Sequence, residues 1–199
     1  MLKSPLPELI IRRTLKTHTL NCALGAHHGT FCSRDAFDDT EDAMTIATRL
    51  KHHLDAQGLP FDIVPHPYAA TASECAEAAH VPGEHLAKSV LIHMEEGPML
   101  AVLPSNHQVD LSALQSMMER RLGLAPESEI GDLFDDCVLG AAPPVGAAYS
   151  VPTIVDNSLT GLDKIWFEAG DHKTLIEMRG KDFDKLMKDV KHGSFCCMH

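Results

Sequence analysis

Apolar positions change their spacing along this chain, and the spacing decides which elements can form. From residue 45 onward, Ile46, Leu50 and Leu54 recur at helical intervals, and Gly58 stands where a helix stops in the left-handed conformation. Phe61-Asp62-Ile63-Val64 is of strand length and ends at Pro65. Thr71 and Glu74 have capping-box spacing and predict a helix through Cys75-Ala76-Glu77-Ala78-Ala79. Ser89–Ile92 and Met99–Leu103 are apolar runs joined by Glu95-Glu96-Gly97-Pro98, the pattern of a hairpin. Asp110 can cap a helix carrying Leu111, Leu114, Met117, Met118 and Leu122, and Pro126 opens a shorter helix to Phe134. A small-residue loop runs from Gly140 to Gly146. Strands follow at Thr153–Val155, Lys164–Phe167 and Thr174–Met178, then a last helix from Asp182 to Val190. Strands and helices mix without a strict βαβ repeat. The fold class expected is α+β, a mixed β-sheet or partial barrel flanked by helices.

Residues 1–43 do not keep any such spacing. They hold Pro5 and Pro7, a basic patch at Arg12, Arg13 and Lys16, and the acidic run Asp38-Asp39-Thr40-Glu41-Asp42. They are expected to form a poorly ordered extension, with one short helix near Leu9–Lys16. The domain is expected over 44–193, with Met44 an alternative start, and 194–199 as a C-terminal tail. With 199 residues and 44% hydrophobic content, the chain can bury one core. No uncharged apolar run approaches the ~18 residues a membrane helix needs, and no signal-peptide core follows the N-terminus. The expected location is cytoplasmic, and the six cysteines, none in a CxxC pair, are expected to be reduced thiols.

Charge narrows the partners. The net charge is -11, and the first 43 residues hold six acids against five bases, so the rest carries −10. That excludes the basic footprint needed to wrap DNA or long RNA. It leaves room for a local pocket that captures one single-stranded RNA end, with weak affinity when the protein acts alone.

Candidate chemistry is sparse. Thirteen histidines are present, but His52 and His53 point to different helix faces, no HExxH occurs, and Cys196-Cys197-Met198-His199 sits on a tail expected to be solvated. No metal site is expected. There is no GxSxG elbow, phosphate loop or dinucleotide fingerprint, so no cofactor is expected either. Two features remain. Lys88 stands at the mouth of an apolar strand, as either a surface charge or an ammonium aimed into a pocket. The segment Gly140-Ala141-Ala142-Pro143-Pro144-Val145-Gly146 is either a tight connection or a rigid, bare backbone offered to a ligand.

Ala87-Lys88-Ser89-Val90, Ala101-Val102-Leu103-Pro104, Cys137 through Gly146 and Thr153-Ile154-Val155-Asp156 follow one another in an order that resembles the YbaK/prolyl-tRNA synthetase-associated domain family. The likeness covers roughly Thr45 to Gly193. It implies a mixed β core flanked by helices and a catalytic-site lysine, here Lys88. It also implies an ester-orienting loop, carried here by Gly140, Pro143 and Pro144, with Ala142 and Gly146 lining the substrate. The resemblance also implies that the first turn of the helix after the first strand lines the pocket, and here that turn offers Thr71, Ser73 and Glu74. The implied activity is trans-editing hydrolysis of a mischarged aminoacyl-tRNA, with tRNA for proline a candidate. The implied partners are the 3′ end of that tRNA and an aminoacyl-tRNA synthetase or elongation factor. A rival function is a non-catalytic module that binds an aminoacyl-tRNA end or nucleotide beside a synthetase.

Overall fold

The computed structural model describes residues 46–198. The helix expected near Leu9–Lys16 and the onset at Met44 lie outside the described residues. The first helix, α1 (Thr48–Gln57), buries Leu50 and Leu54 one turn apart, and Gly58 ends it at φ 62. Strand β1 (Asp62–Pro65) pairs antiparallel with β8 (Thr174–Arg179) at one edge of the main sheet. An edge is where a strand tolerates Pro65, which has no N–H to donate.

Helix α2 (Ala72–Ala78) starts three residues before the apolar run, because its capping box forms at Thr71. The hairpin is longer than its apolar runs, with β2 (Leu86–Met94) and β3 (Gly97–Pro104) in register from Ala87 opposite Pro104 to Met94 opposite Gly97. Strand β4 (His107–Val109) leads to α3 (Leu111–Met118), whose first N–H groups are capped by Asp110. Leu122 is not part of α3. Glu119 takes a left-handed conformation and ends the helix, and Leu122 joins β5 (Leu122–Leu124), which pairs with β2.

After α4 (Glu127–Leu133) comes the small-residue loop, which closes in a 3₁₀ turn at Gly146–Tyr149. Strands β6 (Thr153–Asp156) and β7 (Lys164–Glu168) lie where expected. Helix α5 (Gly180–Leu186) begins earlier and ends earlier than its apolar pattern. Strand β9 (Lys191–Gly193) then pairs parallel with β6.

The main sheet runs β1-β8-β7-β2-β3-β6-β9, with β5 added on β2. Parallel and antiparallel pairs mix. β1 and β9 remain edges, so the sheet does not close into a barrel. The α+β class and mixed sheet hold.

β3 explains why alternation is missing from the central strands. Leu100 and Val102 pack with α1 and α5 residues on one face, while Met99, Ala101 and Leu103 pack with Leu114 and Phe195 on the other. A strand buried on both faces reads as a continuous apolar run. A third cluster, of Ala69, Cys75, Ala76, Leu86 and Leu175, lies under α2.

The C-terminal segment corrects the expectation of a solvated tail. Phe195 is only 1% exposed. Asp156 Oδ2 accepts the N–H groups of Phe195 at 2.8 Å and Cys196 at 3.1 Å. Cys196–Met198 form β10, paired with β4. No helix among the described residues is long and apolar enough to cross a membrane.

Candidate active site

β2 and β7 build the floor of a cleft. They run parallel, with Leu86 beside Trp166 and Ala87 beside Phe167. One step further, Lys88 and Glu168 follow on the same face, where the pairing has stopped. They form no ion pair with each other. Lys88 Nζ turns away and donates to the carbonyl of Ser105 at 3.0 Å. Half-buried, its ammonium is held below the ordinary lysine range by desolvation.

A cavity of about 190 Å³ opens there, and the N-terminal turn of α2 and the Gly140 loop form its other walls. Ala70, Ala72, Leu86, Ala87 and Ala142 give it a small apolar lining, and Thr71, Lys88, Ser89, Glu168 and His172 give it polar groups.

The loop is tied to the strand beside it. Ser89 Oγ donates to the carbonyl of Ala142 at 2.6 Å. Gly140 takes φ 91, a region that disfavours side chains, and a Cβ there would meet His172 Nε2 at 3.3 Å. The N–H of Ala141 is used by the carbonyl of Val138. Those of Gly140 and Ala142 have no acceptor among the described residues.

Of the residues expected in the site, Lys88, Gly140, Ala142 and Thr71 share the cavity. Ser73 and Glu74 do not line it. Glu74 is exposed, and its carboxylate is committed to the cap, accepting the N–H groups of Ala70 and Thr71. Ser73 faces a separate surface hollow with Glu77 and His80. Pro143 and Pro144 are buried behind the loop rather than exposed in the cavity. Gly146 is a packing position, since a Cβ there would run into Thr153 Oγ1 and come within 2.6 Å of the Val151 carbonyl.

Glu168 and His172 were not anticipated. The segment Glu168-Ala169-Gly170-Asp171-His172 follows an apolar strand without periodicity, and only its turn chemistry stands out. Asp171 accepts the Lys173 N–H at 3.0 Å and the Thr174 hydroxyl at 2.7 Å, which closes a turn around His172. His172 sits at φ 61 with its ring buried, and Nε2 donates to the carbonyl of Leu139 at 2.9 Å. Burial pushes the Glu168 carboxyl up to about 7.

Behind the cavity, Glu168 meets two more unanticipated groups. Ligand atoms of His66, Cys75 and Glu168 lie within 4.8 Å of one another, the set among the described residues that could hold a metal ion. Protein contacts already account for two of them. His66 Nδ1 donates to the Pro67 carbonyl at 2.8 Å, which leaves Nε2 to accept the Cys75 thiol proton at 3.3 Å. Burial raises the Cys75 pKa and keeps it a thiol.

The profile of the aminoacyl-tRNA editing domain matches residues 66–186. The chain belongs to this family. No curated protein sequence gives a significant match. Among solved structures, one described as a proposed trans-editing enzyme for prolyl tRNA synthetase is 24% identical, with a TM-score of 0.66, over 75% of this chain and 95% of the other. A hypothetical protein superposes equally well at 18% identity, over 75% of this chain and 99% of its own. A third, described as a proposed signal transduction protein from Marinobacter aquaeolei, has a TM-score of 0.61 at 20% identity. It matches 74% of this chain but only 30% of its own length. At these identities the superpositions establish a shared editing-domain fold.

Proposed function

We propose that this editing domain is a deacylase that hydrolyses the ester of a mischarged aminoacyl-tRNA in trans, with tRNA for proline the first candidate. One observation carries it. The ammonium-bearing Lys88 and the bare backbone of Gly140 and Ala142 border the same small cavity, from two elements far apart in sequence.

An aminoacyl ester is labile, so positioning and charge stabilisation suffice. Water adds to the carbonyl carbon, the ester C–O bond breaks, and the ribose oxygen leaves with a proton. The amino acid departs as its carboxylate with release of one proton. In this reading the N–H groups of Gly140 and Ala142 meet the developing oxyanion, and Lys88 holds the terminal phosphate or the ester oxygen. Preorganised donors and fixed geometry can each supply on the order of 3–10 kcal/mol. No step requires a metal. The acidic chain makes a partner that delivers the tRNA, a synthetase or elongation factor, part of this proposal.

Release of free amino acid from a panel of mischarged tRNAs tests the proposal. Multiple turnovers on one or more of them are expected. Binding without release would instead assign the domain a non-catalytic role.

A further inference from the structure

Two buried acceptor atoms of this site, His172 Nδ1 and Glu168 Oε2, have no hydrogen-bond partner. His172 Nε2 donates to the carbonyl of Leu139, which can only accept, so Nε2 carries a proton, and the tautomer this selects offers Nδ1 as an acceptor. Nδ1 lies 3.9 Å from Glu168 Oε1. Leaving buried acceptors unmatched costs free energy that an incoming donor would recover. No lysine or arginine among the described residues pairs with Glu168, and Lys88, its neighbour across the strands, is turned to Ser105.

The missing complement is a small cation with more than one N–H. The same cavity presents Lys88 and the loop N–H groups, which suit oxygen atoms. A ligand with an ammonium at one end and an ester at the other matches both halves. We infer that Glu168, with His172 Nδ1, receives the α-ammonium of the aminoacyl group, so that the site requires a free α-amine and rejects N-acylated esters. This rests on the deacylase proposal and adds the chemical class of its substrate. Glu168 then acts as a substrate-binding residue, and peptidyl- and N-formyl-aminoacyl-tRNA fall outside the substrate range.

The test uses the full chain and two hydrolysis-resistant ligands, 3′-deoxy-3′-(L-alanylamino)adenosine and its N-acetyl derivative, with binding read by calorimetry. A hydrogen bond to a charged group predicts that acetylation weakens binding on the order of tenfold to a hundredfold. In Glu168→Gln that gap should close through loss of affinity for the free amine. Equal binding of the two ligands to the wild-type protein overturns the inference, whether or not Glu168→Gln folds. Rates on Ala-tRNA and N-acetyl-Ala-tRNA separate the two levels. Equal rates leave the deacylase standing and remove the role of Glu168. If the alanyl ligand does not bind and no charged tRNA is hydrolysed, both fall.

Discussion

Gly140 and His172 are packed so that the glycine backbone rests against the imidazole, with 3.3 Å between the ring and the place a Cβ would occupy. The contact joins the loop before the 3₁₀ turn to the turn after β7. Gly140→Val would add a branched side chain at a positive φ and push either the ring or the loop aside. Strain of about 1–3 kcal/mol should leave the domain folded, as circular dichroism would show. Because small misplacements of a reacting group are costly, activity should fall on the order of a hundredfold for every aminoacyl group. Full activity in the folded variant would make the loop a mere connection.

Lys88→Ala should reduce deacylation on the order of a hundredfold, the usual effect of losing one preorganised donor. The melting temperature should move little, since the side chain makes one hydrogen bond and no ion pair. Lys88→Arg should restore only part of the rate, because a planar guanidinium does not replace a compact ammonium. Single-turnover rates beside thermal melts would check both. Wild-type rates in Lys88→Ala would return this residue to a packing role.

Ala142 borders the cavity while its carbonyl is held by Ser89. Ala142→Val should shrink the space without moving the backbone. Larger aminoacyl groups should lose more than smaller ones, by about 1 kcal/mol for each added methyl. Rates across Ala-, Ser-, Cys- and Pro-tRNA would show a changed ranking. An unchanged ranking would place the size filter elsewhere.

Glu168 makes stability depend on pH. Its folded-state pKa, raised to about 7 by burial, lies above that of an unfolded glutamate, near ~4.3. The folded state therefore holds the proton more tightly. The stabilisation is fully present below ~4.3 and is lost as pH rises through about 7, on the order of 3–4 kcal/mol in all. Glu168→Gln cannot lose a proton there, so its stability relative to wild type should rise between about pH 5 and pH 8. Urea denaturation at both pH values measures this, and a constant difference would show that Glu168 stays ionised in the fold.

Much of the fold was legible because local chemistry and tertiary packing agree. Leu50 and Leu54 with Gly58 mark α1, Thr71 and Glu74 box the start of α2, and Asp110 caps α3. Disagreement arose where long-range pairing recruited residues that local spacing assigned elsewhere. Leu122 fits the stripe of α3 but hydrogen-bonds into the sheet beside β2, and Cys196–Met198 gain a partner in β4.

By itself, the sequence determined the order of elements, the apolar strands of the sheet, the lysine, and the glycine-proline loop that marks the family. Each depends on residues close together in the chain, where spacing, caps and backbone freedom act directly. Only the tertiary structure decided which of those residues meet. The register of β2 with β7 brings Lys88 alongside Glu168, about eighty positions away, and the turn at Asp171 carries His172 against Gly140. It also withdrew Glu74 into a helix cap and Gly146 into packing. The unmatched acceptors of Glu168 and His172 could not be read from the chain, because a missing partner is a property of three-dimensional surroundings and leaves no periodic trace.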